Sequence, residues 1–382
     1  MKIAVAMDSF KGSISSMIAG RAVETGIRRV FPKAQICVRP LADGGEGTIE
    51  ALIQGIGGNV FCCEVTGPLG GKVACKYGIL KDGITAVIET AQAAGLTLVP
   101  ENKRNPLLTT TYGVGEVIEH AIKNGCRRFI VGIGGSATND GGVGMLQALG
   151  FSMLDREGKQ VGFGAGGLEN IFKVSDENKL PELKECTFLI ACDVTNPLYG
   201  AEGASAVYGP QKGATAEMVQ RMDSGLKQFA EVAKEVFPEA DAAYPGTGAA
   251  GGLGFAFRTF LNGVLESGVK IILEETNLVE CIQDADYVIT GEGRLDGQTV
   301  QGKAPIGVAA LAKKYGKPVI AFCGSLGEDA EVCNAAGIDA FFSIVEATVS
   351  LEEAMKEENA IKNMADSVEQ IFRLINLHIF HK

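Results

Sequence analysis

Short apolar runs that end in glycine- or acid-rich loops recur along the chain, and each is followed by apolar residues at helical spacing. KIAVAM (2–7) leads into DSFKGS and then a segment carrying Ile14, Ile18, Ala22, Ile27 and Val30. QICVRPLA (35–42) leads into DGGEGT and TIEALIQGI; RRFIVGIG (127–134) leads into GSATNDGG and VGMLQAL. DYVITGEG (286–293) leads into RLDGQT and APIGVAALAKKYG, while PVIAFCGS (318–325) and DAFFSIV (339–345) precede a long C-terminal helical pattern. Strand, polar loop and helix in this order, repeated six times, predict an α/β fold on a parallel sheet.

Two stretches break that rhythm. Residues 59–89 read as three antiparallel strands with turns at GPLGG and KDG. Residues 151–282 mix the strand-like FLIACDV with a helix near 215–236 and a glycine-rich apolar segment. They predict a second α/β module embedded in the first. The expected division is a discontinuous first domain of 1–58, 110–150 and 283–382, with 59–109 and 151–282 forming the inserted one. The carboxyl ends of parallel strands share one edge, where ligands bind. The loops DSFKGS, ADGGEG, GGSATNDGG and GEGRLDGQT are therefore expected to lie together on that edge.

With 382 residues the chain exceeds one typical core, which agrees with two domains. A net charge of −11 excludes a nucleic-acid binder, which needs a basic face, and means that an anionic substrate must be drawn in by local cations. No uncharged apolar stretch reaches the length of a membrane span, and the start MKIAVAMDSF has too short an apolar run for a signal peptide. A cytoplasmic protein is expected. The ten cysteines show no CxxC spacing and are expected to be reduced thiols, mostly buried. Only His120, His378 and His381 are present, which leaves zinc chemistry and a Ser-His-Asp hydrolase almost nothing to use.

GIGGSATNDGG (132–142) carries the strongest chemical signal. Its glycines let backbone amides converge, Ser136 and Thr138 add hydroxyl donors, and the helix that follows turns its positive end toward the loop. GQTVQGKA (297–304) fits a P-loop except at Ala304, where magnesium needs Ser or Thr, though Lys303 can still neutralise phosphate at a helix start. Two GxGxxG matches, at 162–167 and 246–251, follow no convincing strand; the second opens an apolar helix that could face an anion. Asp8, Asp43, Glu46, Asp140, Asp193, Glu292 and Asp296 fall at or just beyond predicted strand ends, and Lys11, Arg294 and Lys212 are the nearby cations. Acids that hold magnesium or accept a proton, with cations that spread phosphate charge, are the parts of phosphoryl transfer.

Taken together, DSFKGS, PLADGGEGT, GIGGSATNDGG, ACDVTNPLYG, GPQKG and ITGEGRLDGQTVQGKAPIGVA resemble the bacterial type I glycerate kinases, in the same order over essentially the whole chain. One departure is Met7, where the family pattern leads one to expect proline. The resemblance implies a flavodoxin-like (Rossmann-like) α/β domain with a second α/β domain inserted, and no P-loop. It also implies transfer of the ATP γ-phosphoryl group to D-glycerate with Mg2+, giving 2-phosphoglycerate, in the breakdown of organic and sugar acids. On that footing the phosphates of ATP are expected against Gly134, Gly135, Ser136, Thr138 and Asn139, with Lys303 as a further cation. Asp43 and Asp193 are expected to hold magnesium. Lys11 or Arg294 would bind the glycerate carboxylate or steady the transferred group, and Asp296, or Asp8 in second place, would accept the hydroxyl proton. A monomer or homodimer is expected. The competing readings are phosphorylation of the 3-hydroxyl, a kinase of another small hydroxy acid, a dinucleotide-dependent dehydrogenase, and a non-catalytic sensor of a sugar acid or nucleotide. The acids retained in ADGGEG, ACDVTN and GEGRLD favour an enzyme over the sensor.

Overall fold

The computed structural model describes residues 1–42 and 44–380, with side chains as far as 377. In chain order its strands are β1 (Lys2–Met7), β2 (Gln35–Val38), β3 (Gly58–Thr66), β4 (Lys72–Leu80), β5 (Thr85–Glu89) and β6 (Arg128–Gly132). They continue with β7 (Ser152–Leu154), β8 (Lys173–Ser175), β9 (Thr187–Ala191), β10 (Val264–Glu266), β11 (Tyr287–Leu295), β12 (Val319–Leu326) and β13 (Ala340–Ser343). The chain divides into two compact units, one of residues 1–43, 50–57 and 269–382 and the other of 44–49 and 58–268.

The first unit holds a five-stranded sheet in the order β2-β1-β11-β12-β13, with every pairing parallel. Counted within the unit this is 2-1-3-4-5, the flavodoxin-like order, whose connections leave in opposite directions between β1 and β11. The strands are apolar on both faces, with Ile3, Val5, Ile289 and Phe322 on one and Ala4, Val288, Val319 and Ala321 on the other, because helices cover both sides. Helix Ser16–Val30, capped by the Ser15 hydroxyl, packs against the long helix Glu357–Phe380. Their approach is close at Gly26, where an added Cβ would stand 2.4 Å from the Ala365 carbonyl oxygen. Arg29 bridges the same helices by pairing with Asp366 and Glu369.

The second unit holds a six-stranded sheet, β10-β9-β6-β5-β4-β3, parallel from β10 to β5 and antiparallel beyond. The three antiparallel strands are those expected over 59–89. A core rich in phenylalanines packs against it, with Phe229 stacked on Phe260 and Phe255 edge-on to both.

Three expectations differ. The pattern predicts segment 110–150 in the first domain, but its strand β6 pairs with β5 on one side and β9 on the other, inside the second sheet. An apolar strand pattern carries no mark of which sheet it will join, so local periodicity could not assign it. For the same reason the loops do not share one sheet edge: GGSATNDGG follows a strand of the second unit, whereas DSFKGS and GEGRLDGQT follow strands of the first. The part of ADGGEG from Gly44 on groups with the second unit, where Glu89 accepts a hydrogen bond from the Ile49 N–H at 2.9 Å. Finally, Cys37 and Cys281 form a disulfide between β2 and the helix Leu278–Gln283, although they are 244 positions apart and nothing in their spacing pairs them. The other eight cysteines are free thiols.

Among the described residues no helix is long and apolar enough to cross a membrane. The helix contact at Gly26 gives a direct test. Gly26→Val is expected to cost about 1–3 kcal/mol by forcing the two helices apart, measured as a lower urea midpoint. An unchanged midpoint would mean that the helices do not meet there.

Candidate active site

In the second unit, β6 ends at Gly132 and its chain passes into the predicted anion loop. Residues 94–96 pin that loop: the Leu96 N–H donates to the Gly135 carbonyl at 2.9 Å and the Ala137 N–H to the Ala94 carbonyl at 2.8 Å. Gly135 turns the chain with φ +74°, a conformation that side chains rarely adopt. Asp140 closes the loop from inside. Wholly buried, it accepts bonds from the Thr111 N–H at 2.8 Å, the Thr111 hydroxyl, and the N–H groups of Gly142 and Gly144 at 3.1 and 3.3 Å. Burial pushes its pKa up, and these donors pull the other way. Its role is thus to shape the loop rather than to hold a metal.

Ser136, Thr138 and Asn139 are all buried, and the Asn139 amide donates to the Ser205 hydroxyl at 2.8 Å. The Thr138 hydroxyl and the Asn139 amide oxygen have no hydrogen-bond partner among the described residues. Lys212 reaches the loop from the turn Pro210–Lys212, its ammonium 2.9 Å from the Ser136 hydroxyl and 2.6 Å from the Thr138 carbonyl oxygen. Burial lowers its pKa to about 7, with the Asp140 charge acting in the opposite direction.

The glycines of 246–252 serve packing. The Gly141 N–H donates to the Gly251 carbonyl at 2.9 Å, and a Cβ on Gly251 would stand 2.1 Å from the Thr138 carbonyl oxygen. One glycine-rich segment thus backs the other. The match at 162–167 is likewise a tight turn, with Gly167 against the Gly162 carbonyl. Asp193 lies exposed beyond β9, one carboxylate oxygen accepting from the Gly268 N–H at 3.0 Å. Asp43 falls outside the described residues.

In the first unit a cavity of about 420 Å³ opens at the carboxyl ends of β1, β11 and β12. This is the switch point of the strand order, where open α/β sheets bind ligands. Its polar wall holds Asp8, Lys11, Ser13, Glu292, Arg294 and Lys303, and its far wall is apolar, from Ile344 and Val345 to Leu351 and Met355. Asp8 is buried and accepts from the Ser9 N–H at 2.7 Å. Glu292 is buried too, accepts from the Thr299 hydroxyl at 2.6 Å and faces the Lys303 ammonium at 3.4 Å. Burial raises the Glu292 pKa, with Thr299 and Lys303 opposing. Lys303 sits at the N-terminal end of helix Ala304–Lys314.

The cavity therefore collects Asp8, Lys11, Arg294 and Lys303 of the expected residues, and leaves Asp296 out of its lining. Asp296 instead caps a turn, accepting from the Gln298 N–H at 3.0 Å and pairing with Arg294 at 3.2 Å. Glu292 and Lys212, candidates by sequence without an assigned role, belong to the cavity and to the loop respectively, and Ser13 joins the cavity wall without having been a candidate. The Ser13 hydroxyl, though buried, has no partner among the described residues. The strand-end position marks Glu292 and the GPQKG motif marks Lys212, but no local signal marks Ser13.

A sequence model of the glycerate kinase family matches residues 3–376. A glycerate kinase of Haemophilus influenzae is 48% identical over 98% of this chain and 99% of its own length. A glycerate 2-kinase of Escherichia coli K12 is 49% identical over 93% of each chain. Among solved structures, a proposed glycerate kinase 2 of Salmonella typhimurium LT2 superposes with a TM-score of 0.92 at 44% identity, covering 99% of both chains.

The buried lysine makes the stability of the protein depend on pH. Its folded pKa of about 7 lies below the ordinary 10.5, so between those values the unfolded chain binds more protons and stability rises with pH. Relative to Lys212→Met, the wild-type protein is expected to gain stability as pH rises from 7 toward 10, read from urea unfolding of both. Parallel curves for the two proteins would show that Lys212 keeps an ordinary pKa.

Proposed function

The chain belongs to the glycerate kinase family, and on that footing we propose that it transfers the γ-phosphoryl group of ATP to the 2-hydroxyl of D-glycerate, releasing ADP and 2-phosphoglycerate. The observation that carries this reading on the structural side is the cavity at the switch point, where three cations meet two buried carboxylates. A protein of net charge −11 repels an anionic hydroxy acid in general, so a local cluster of Lys11, Arg294 and Lys303 is what a glycerate carboxylate requires. The 2-hydroxyl is favoured over the 3-hydroxyl because the E. coli relative, 49% identical, is named a glycerate 2-kinase. A cytoplasmic place in organic-acid breakdown goes with that chemistry.

Asp8 is the better proton acceptor of the two considered, since it lines the cavity and Asp296 does not. Its carboxylate would take the hydroxyl proton as the oxygen attacks phosphorus. Glu292 holds Lys303 in place from its buried position, and Ser13 offers an unpartnered hydroxyl to the substrate. In the second unit the amides of Gly134 and Gly135, with the Thr138 hydroxyl, would receive phosphate oxygens of ATP. The Asn139 side chain, tied to Ser205, keeps the loop in register.

Among the described residues no group of three or more His, Cys, Asp or Glu side chains is placed to hold a metal ion. Magnesium in a kinase is held by substrate phosphates with only one or two carboxylates, so an exposed strand-end acid such as Asp193 fits its needs. Asp193 is the described acid that would hold it. The ion neutralises charge on the transferring phosphoryl group when bound.

Turnover of D-glycerate with ATP and magnesium, coupled through enolase without phosphoglycerate mutase, tests the proposal. Signal without mutase is expected. Signal only with mutase would place the phosphate on the 3-hydroxyl, and ADP release with neither would point to another hydroxy acid. Lys11→Ala is expected to lower kcat/KM for glycerate roughly 10- to 100-fold, the loss of one charge-assisted contact, mainly through KM. Asp8→Asn is expected to lower kcat about 10²- to 10⁴-fold with KM little changed. Normal kcat in Asp8→Asn would remove it as the base.

A further inference from the structure

Lys212 is 2% exposed, and its side chain is bonded only to uncharged groups, the Ser136 hydroxyl and the Thr138 carbonyl. An ammonium carries three N–H donors, and these two contacts account for two of them. Among the described residues no carboxylate pairs with it; Asp140, the acid that acts on it through space, has its own oxygens filled by Thr111, Gly142 and Gly144. A buried charge without a counter-ion is costly, so the arrangement makes physical sense if an anion completes it. Two further observations point the same way, one in the loop itself and one beside the turn that carries Lys212. The buried Thr138 hydroxyl has no partner, and neither does the buried Arg104 Nε. Arg104 stands beside the turn that carries Lys212: Gly213 packs so closely on it that an added Cβ would lie 2.5 Å from the Arg104 carbonyl oxygen.

We propose that Lys212 is the resident cation of the glycine loop, fixing Ser136 and the Thr138 carbonyl with two N–H groups and giving the third to a phosphate oxygen of the nucleotide. This rests on the proposal above that the loop receives the nucleotide phosphates. It supplies what a Walker motif draws from the lysine of its own loop, here delivered by a turn more than seventy residues further along. Neutralisation by a side chain already buried and held in place would need no reorganisation when the phosphate arrives.

The test compares Lys212→Met with Gly134→Val, reading ADP affinity by calorimetry with magnesium present, glycerate KM, and the urea midpoint. An added Cβ on Gly134 would lie 3.8 Å from the Gly45 Cα, an ordinary van der Waals contact, so valine there narrows the loop mouth, and the urea midpoint reports whether the fold is kept. Lys212→Met is expected to bind ADP on the order of 10- to 100-fold more weakly, with glycerate KM within threefold and stability at neutral pH undiminished. A lysine that only braces the fold would instead lower the urea midpoint and leave ADP affinity intact, which would overturn the proposal. Weak ADP binding in Gly134→Val alone would also overturn it while sparing the loop as the phosphate site. Normal binding in both variants would remove the loop itself. Should Lys212→Met fail to fold, the wild-type protein decides: ADP affinity is expected to fall about tenfold per pH unit above about 7. Asp140, whose pKa burial raises, is the other titratable group acting on Lys212. Asp140→Asn, with the slope retained, would assign it to Lys212. A flat profile between pH 7 and 9 would overturn the proposal.

Discussion

Water does not reach Asp140, and a carboxylate in such a place persists only if its lone pairs are filled by donors. Thr111 and the amides of Gly142 and Gly144 fill them, and in doing so they fix the beginning of the helix after the loop and the end of the segment before it. The shape of GGSATND follows from this. With its inner end tied to Asp140 and its outer end bridged to residues 94–96, the loop keeps Ser136 and Thr138 where Lys212 meets them. A buried acid inside the loop and a buried cation arriving from another turn, not in direct contact, thus hold it from two sides.

The first unit reaches a comparable outcome by a different route. There the order of the strands does the work: the sheet reverses its direction of winding between β1 and β11, and the two strand ends diverge to leave a crevice. Asp8 and Lys11 come from one side of it, Glu292 and Arg294 from the other, and Lys303 from the helix that follows. Charge is sorted within the crevice. Glu292 engages Lys303 and Asp296 engages Arg294, so two of the three cations are oriented by acids of the protein itself. Such positioning suits phosphoryl transfer, in which catalysis consists mostly of orientation and charge neutralisation.

Much of this was legible in the linear chain. Period-two and period-3.6 apolar patterns gave strands and helices, the antiparallel run at 59–89 stood out from the parallel ones, and the chemistry-bearing residues clustered at strand ends because that is where a parallel sheet exposes its loops. Family membership followed from motifs in register over the whole chain. Asp8, Lys11, Arg294 and Lys303, which the cavity gathers, all stand in loops that the motif pattern marks.

What the sequence by itself determined was the type of each element and the residue chemistry at its end, since both follow from local spacing. Which sheet a strand enters depends on hydrogen bonds to partners far away in the chain, so only the tertiary structure placed β6 between β5 and β9. The same limit hid the Cys37–Cys281 bond, the turn that removes Asp296 from the cavity, and the arrival of Lys212 at Ser136 across 76 positions. Each of these is a contact between segments that fold apart and meet through packing, and burial, which gives Lys212 and Asp140 their altered acidities, exists only once that packing is complete.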